Sequence, residues 1–358
     1  MTHESTTGIG VIGTGWWATQ FHIPAILSSR GGHLAGIADQ NHDRLLAAST
    51  AFEPRLATTD HRDLLEDDDV TGVVIATPHS SHFGLAKDAL TAGKHVLVEK
   101  PLTLHGEEAR ELQELARAQD RALLVGHTYQ HTRHAKRARE VVRSGAIGEV
   151  TFVSALFASM VTAYYQGNPD EYRAVFNFPV NGPSPDTYSN PALSGGGQAW
   201  TQMTHLMDMV FWVTGLSGDR VFARMENRDL DVDLIDSMSF ILSNGAIGTA
   251  GSTGQLQAGQ GQQQELRYYG TEGYVLQELI NGTLTIVLND GSVEEVPDAG
   301  PDEIYPTGGP VQSLIDVCSG GAFGPETADS SIATVEFLEA AYRSSSSGRD
   351  ERIGSSNA

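Results

Sequence analysis

The sequence contains a single cysteine, Cys318, which excludes an intramolecular disulfide framework and a cysteine-rich zinc site. Metal sites built from histidine and carboxylate stay open on this count. No apolar run reaches the roughly 20 residues that a membrane-spanning helix needs. The most apolar stretch, Val150 to Tyr165, is broken by Thr and Ser and reads as strand. The N-terminal segment Met1 to Thr7 is short and polar and lacks the apolar region of a signal peptide. Positive charge is scarce: 23 Lys and Arg stand against 45 Asp and Glu, for a net charge of −22. A surface this acidic repels phosphate backbones and anionic lipid, so neither nucleic acid nor a membrane is expected as a partner. A soluble, cytoplasmic protein is expected.

At 358 residues, 40% of them apolar, the chain can build a sizeable core, and its length points to two domains. The first third alternates short apolar runs with helical spacing. Strands are expected at Gly8 to Ile12, Leu34 to Ala38, Val70 to Ala76, His95 to Val98 and Ala122 to Val125, with a weaker one near Leu56. Helices fit Asn41 to Thr50, Phe83 to Ala92 and His105 to Gln119, and Pro24 interrupts any single long helix through Trp16 to Ser29. Strands and helices at this spacing imply βαβ units and a parallel sheet covered on both faces.

The remainder has another texture. A basic helix at Thr132 to Arg143 precedes longer β-like stretches at Val150–Phe157, Val221–Arg224, Ser237–Leu242, Ala246–Ser252, Glu265–Tyr269, Tyr274–Leu276 and Leu284–Leu288. Asn244-Gly245 and Asp290-Gly291 are hairpin signals between such runs. One large antiparallel sheet with a few helices is expected. Gln166 to Gly197, rich in Pro, Gly, Asn and Ser, reads as a long loop.

Five local features carry chemistry. Gly13-Thr14-Gly15-Trp16-Trp17-Ala18 is a G-x-G-x-x-A that follows a strand and opens a helix. Such glycines permit a tight turn, and the helix N-terminus offers N–H groups to a pyrophosphate. A Gly-rich turn without a ligand is the plainer reading, and placement after the first strand favours the nucleotide. Trp16 and Trp17 are packing residues by type, yet one at this position can cover a bound cofactor. Asp39 ends the second strand, where an acidic side chain bonds ribose hydroxyls and repels a 2′-phosphate. NAD is therefore favoured over NADP, although Arg44 lies nearby as a second cofactor-binding candidate.

Thr77-Pro78-His79-Ser80-Ser81-His82 follows the strand at Val73 and falls on the rim where open α/β sheets bind ligands. Thr77, Pro78, His79 and His82 are cofactor-binding candidates. Two histidines three apart also suggest a metal, but too few acidic partners accompany them, and no metal is expected. Glu99-Lys100-Pro101 ends the next strand. A lysine there can hydrogen-bond a reacting hydroxyl, and its pKa falls readily on desolvation. A lone lysine is ordinarily surface; the other strand ends argue against that here. Finally, Gly195-Gly196-Gly197 leads into a helix that places Thr201, His205 and Asp208 on one face. His205 on its own reads as a packed histidine; beside a hydride-carrier signature it becomes the acid/base candidate.

In this order, Gly13-x-Gly15-x-x-Ala18, Asp39, Ala76-Thr77-Pro78 with His82, Glu99-Lys100-Pro101 and the triple glycine before His205 resemble the Gfo/Idh/MocA family of nicotinamide-dependent sugar and polyol oxidoreductases. Ser144 to Val150 and the final helix at Ala333 to Gly348 extend the resemblance over nearly the whole chain. It implies α/β plus α+β architecture: an N-terminal Rossmann domain with a parallel sheet at residues 1–126, and a C-terminal substrate-binding and oligomerisation domain with a large open antiparallel β-sheet at residues 127–343. Residues 344–358 read as a flexible tail. The resemblance also implies a homo-dimer or homo-tetramer formed through that sheet. Glu99 and Lys100 would meet the cofactor, Lys100 would bond the reacting hydroxyl, and His205 would take its proton. Tyr129, Gln130, Thr201 and Gln202, with the loop around Tyr164 and Tyr172, would line the substrate pocket.

Two departures matter. Many members carry Asp four residues before the histidine, where this chain has Thr201. The family's aromatic-Arg pair appears as Tyr129-Gln130, which removes a forked cationic donor and fits a neutral sugar, inositol or related polyol. Two other readings stay open: a redox-neutral glycosidase or eliminase of the same fold, and a non-catalytic nucleotide-binding sensor.

Overall fold

The computed structural model describes residues 6–168, 170–171, 178–257, 259–323 and 328–354. Six strands form the first sheet: β1 (Thr7–Ile12), β2 (Gly32–Ala38), β3 (Leu56–Thr58), β4 (Val70–Ile75), β5 (His95–Val98) and β6 (Leu123–Val125). All neighbours pair in parallel, in the order β3-β2-β1-β4-β5-β6. The chain reverses its direction of progress between β1 and β4, and that reversal opens a crevice at the strands' carboxyl ends. Helices cover both faces, so Val73-Val74-Ile75 and Val96-Leu97-Val98 are continuous apolar runs with no exposure.

Two details depart from the linear reading. Pro24 does not break its helix: residues 16–28 run on through a π-helical turn at Ala18–His22. Pro24 then falls in the first turn of the segment Ile23–Ser28, where a missing N–H costs least. The helix Gly309–Cys318 leaves the C-terminal half and packs on the first sheet. Its Val311, Leu314 and Ile315 share a core with Ile9, Val11, Val74 and Leu97. Residues 127–343 therefore do not serve the second sheet alone.

The second sheet comprises β7 (Val150–Ala158), β8 (Gly218–Glu226), β9 (Ile235–Leu242), β10 (Ile247–Thr253), β11 (Gln263–Gly270), β12 (Gly273–Glu278), β13 (Thr283–Leu288), β14 (Val293–Val296) and β15 (Glu351–Arg352). Its order is β14-β13-β12-β11-β7-β10-β9-β8-β15. The expected large antiparallel sheet is present, with one parallel pair within it, β7 and β10. After β7 the chain makes a long helical excursion, and parallel neighbours require such a crossover. Alternation along β9 buries Asp236, Met238, Phe240 and Leu242 beneath the helical layer. Ile241 and Ile247 are left exposed.

The flexible tail is corrected over residues 344–354, and residues 355–358 lie outside the described residues. The helix Asp329–Ser347 runs past Ser344, and β15 pairs with β8. The serines read as loose because they are polar, yet Ser344 and Ser345 accept hydrogen bonds from Ala223 N and Met225 N at 2.9 and 3.1 Å. Among the described residues, no helix is long and apolar enough to cross a membrane.

Candidate active site

At one end of the crevice, β1 runs into Gly13-Thr14-Gly15. Gly13 has φ +92°, and a Cβ there would lie 2.5 Å from Ala76 O, so the turn passes the end of β4 only as glycine. A Cβ on Gly15 would meet nothing within 4 Å, which leaves open space at the start of the helix. The Asp39 carboxylate is held on the rim: Oδ2 accepts from Thr14 N at 2.8 Å and Thr14 Oγ1 at 2.9 Å, and Oδ1 accepts from Asn41 N at 2.8 Å. It retains acceptor capacity for a ribose hydroxyl. The Arg44 guanidinium donates to Ser184 Oγ, while Asn181 Nδ2 donates to Thr14 O at 2.7 Å and Arg44 O at 3.1 Å. The open glycine turn and fixed carboxylate fit a dinucleotide with free ribose hydroxyls.

After β4, Ser81 Oγ donates to Thr77 Oγ1 at 2.8 Å. His79 is buried with Nδ1 on Ser194 O at 2.7 Å, and burial and then neighbouring His82 push its pKa down to about 3. Thr77, Pro78 and His79 line the cavity, but His82 does not. Both of its ring nitrogens face backbone carbonyls, Pro101 O at 2.8 Å and Thr77 O at 3.0 Å. His82 ties two strand ends together beneath the site, which corrects its assignment to the cofactor. Among the described residues, no group of three or more His, Cys, Asp or Glu is placed to hold a metal.

Glu99, at the end of β5, is a hub. Oε1 accepts from Trp17 Nε1 at 3.0 Å and faces His22 Nε2 at 2.8 Å, and Oε2 accepts from Lys100 N at 3.1 Å. Burial alone would raise its pKa; the His22 contact, with Lys100 and His82 nearby, holds it below the ordinary carboxylate range. Burial pushes the Lys100 ammonium down to about 8, against the opposing pull of Glu99. Its Nζ donates to Thr201 O at 2.8 Å.

Thr201 and His205 lie on a helix that begins with a π-helical turn, Ala199–Met203, and continues as Thr204–Thr214. Asp233 fixes its start, accepting from Gly197 N and Ala199 N, each at 2.7 Å. A Cβ at Gly197 would lie 1.9 Å from Asp233 O, so this clamp requires glycine. The Thr201 hydroxyl is occupied by Tyr165 OH and by Gly197 O at 2.9 Å. His205 is buried among the rings of Tyr129, Phe157, His127 and Tyr305. Burial, then Lys100 and His127, hold its pKa well below 6.5.

A single cavity of about 550 Å³ joins both ends. It is lined by Gly13, Gly15, Trp16, Trp17, Asp39 and Arg44 at the glycine turn, and by Glu99, Lys100, Tyr129, Thr201, Gln202 and His205 opposite. Gln130 is corrected: it turns away to give Nε2 to Asp208 Oδ2 at 2.6 Å and lies outside the cavity lining. A fully buried carboxylate attracts every donor in reach. Tyr164 lines the cavity, whereas Tyr172 lies outside the described residues. Sequence reading missed Ser159, Tyr188, Gln264 and Tyr305, which also line it. It missed His127 too, although that residue follows β6 at the same kind of strand end that singled out Lys100.

This fold and cleft define a nicotinamide-dependent oxidoreductase architecture. Residues 7–127 match the oxidoreductase family with NAD-binding Rossmann fold, and residues 135–276 match the GFO/IDH/MocA C-terminal domain. The chain belongs to the Gfo/Idh/MocA family. It is 29% identical over 208 residues to the uncharacterised oxidoreductase YdgJ of Escherichia coli, covering 58% of this chain and 54% of that one. It is 28% identical over 179 residues to levoglucosan dehydrogenase of Pseudarthrobacter phenanthrenivorans, covering 50% and 42%. The chain thus spans about half the length of the curated relatives it matches. The crystal structure of GenD2 from gentamicin A biosynthesis, in complex with NAD, superposes with a TM-score of 0.78 at 25% identity, covering 98% of this chain and 97% of that one.

Proposed function

We propose that the protein moves a hydride between NAD and a secondary hydroxyl, or the corresponding ketone, of a neutral sugar, inositol or related polyol. One observation carries this reading. Lys100 Nζ bonds the carbonyl of Thr201, one helical turn before His205, in the cavity that the glycine turn and Asp39 enter. Gly13, Gly15 and the helix start would hold the pyrophosphate, and Asp39 the adenosine ribose. NAD, when bound, supplies the hydride acceptor. Lys100 places positive charge beside the developing alkoxide in a water-poor site. His205, held neutral by its surroundings, is free to accept the hydroxyl proton. Among the described residues, Lys100 is the only Lys lining the cavity and Arg44 the only Arg, and Arg44 is engaged by Ser184, which favours an uncharged substrate.

Supporting this class of substrate, one relative is named levoglucosan dehydrogenase and another dTDP-3,4-didehydro-2,6-dideoxy-alpha-D-glucose 3-reductase. Self-association is assigned to the outer face of the second sheet, where Leu156, Ile241 and Ile247 are exposed. Near-ultraviolet absorbance tests the reading, using pure protein, NAD or NADP, and a panel of polyols, inositols, sugars and anhydrosugars. A rise with one compound class and NAD is expected. Silence across the panel in protein that binds NAD would overturn it in favour of a redox-neutral enzyme or a sensor.

A further inference from the structure

Residues 178–190 lie in the chain between β7 and β8, yet their ties run to the crevice of the first sheet. Asn181 Nδ2 bridges two carbonyls: Thr14 O at 2.7 Å, in the glycine turn, and Arg44 O at 3.1 Å, in the helix His42–Phe52. These two elements flank Asp39. Its carboxylate accepts from Thr14 N on one side and from Asn41 N, at the start of that helix, on the other. The Asn181 amide therefore joins the two sides of the carboxylate that would hold the adenosine ribose. The Arg44 guanidinium adds a second tie by donating to Ser184 Oγ. Gly182, Pro183 and Ser184 share the cavity wall with Gly13, Asp39 and Arg44.

Both ends of the segment are seated on the same domain. Phe178 packs edge to face against Trp16, just after the glycine turn, with ring centroids 5.4 Å apart. Tyr188 meets His79 edge to face at 6.2 Å, and a little further on Ser194 O faces His79 Nδ1 at 2.7 Å. Pro179, Pro183 and Pro185 fix φ at three positions, so the segment loses little freedom when it seats. Each hydrogen bond in the set is individually modest. The segment can therefore open as well as close.

We propose that residues 178–190 form a clasp over the adenosine half of the dinucleotide, fastened by Asn181 and Ser184, and that its opening limits how fast the dinucleotide leaves. This rests on the assignment of the glycine turn and Asp39 to the dinucleotide. Asn181 and Ser184 are positioning residues, acting on the cofactor through Thr14 and Arg44. The clasp leaves the opposite end of the cavity, at Lys100 and His205, outside its span. Substrate and product can then exchange there while the dinucleotide stays in place.

Release of NADH from the full-length protein tests the proposal without any substrate. The complex is mixed with excess NAD in a stopped-flow instrument, and the loss of energy transfer from tryptophan to the reduced nicotinamide gives the release rate. Asn181→Ala removes both bonds of the bridge and is expected to speed release about 10-fold or more. Ser184→Ala removes only the tie to Arg44 and is expected to speed it by about 3-fold. A release rate unmoved in the folded variants would overturn the proposal. Backbone hydrogen exchange of the wild type gives a second readout that does not depend on any variant folding. NAD is expected to slow exchange across residues 178–190 at least about 5-fold, and the effect should be lost in Asn181→Ala. Protection confined to the glycine turn and the surroundings of Asp39 would also overturn the clasp. Failure of the underlying assignment looks different: the wild type would then show neither energy transfer to NADH nor protection at the glycine turn.

Discussion

Lys100 reaches across the cleft to Thr201 by its backbone carbonyl, at 2.8 Å, and not by its side chain. The exchange of a carboxylate for threonine at this position therefore leaves the lysine's anchor in place. What it removes is a negative charge one turn before His205.

If the Lys100 ammonium stabilises the alkoxide, Lys100→Met should lower the rate of hydride transfer by roughly 10²- to 10⁴-fold. NAD binding should survive, because the glycine turn and Asp39 are untouched. Stopped-flow absorbance reads the first, and quenching of Trp16 and Trp17 fluorescence, both on the cavity wall, reads the second.

The pH dependence follows from the same residue. Burial lowers the Lys100 pKa to about 8, so its charge is present below that pH and lost above it. The chemical step should fall on an alkaline limb near pH 8. Burial, then Lys100 and His127, hold His205 well below 6.5, so it stays neutral at neutral pH and should add no acidic limb there. A pH profile of kcat checks both limbs.

Asp39→Asn keeps an acceptor for Thr14 while removing the charge that repels a 2′-phosphate. NAD affinity should weaken about 10-fold or more, at ~1.5–3 kcal/mol for a hydrogen bond to a charged group. NADP affinity should rise. Titration calorimetry with each dinucleotide measures the ratio.

Glu99→Ala leaves His22 Nε2, Trp17 Nε1 and Lys100 N without their acceptor in a buried setting. It should cost about 2–4 kcal/mol of stability. Denaturant unfolding, compared with Glu99→Gln, measures this, and the glutamine variant should recover part of the loss.

Most strands were legible because their signals are local: Val73-Val74-Ile75 is a buried apolar run, and Asn244-Gly245 makes a tight turn with Gly245 at φ +87°. The helix Gly309–Cys318 and the pairing of β7 with β10 were not, since both depend on contacts far apart in the chain. In the site, strand ends pointed to Gly13, Asp39, Thr77 and Lys100, and all four reach the cavity. The same rule misled at His82, which sits at a rim but turns inward to Thr77 O and Pro101 O. Gln130 was misread because the pull of Asp208, 78 residues away, is invisible in sequence. Tyr305 reaches His205 from a distant segment and left no local trace.

The most direct test is label transfer. A substrate found in the absorbance panel, deuterated at the carbinol carbon, is turned over with NAD, and the reduced dinucleotide is analysed by mass spectrometry. Deuterium should appear in the dinucleotide with wild-type protein, and its appearance should slow by orders of magnitude in Lys100→Met. Deuterium returned to a rearranged or cleaved product, with no net reduced dinucleotide, would contradict a net dehydrogenase.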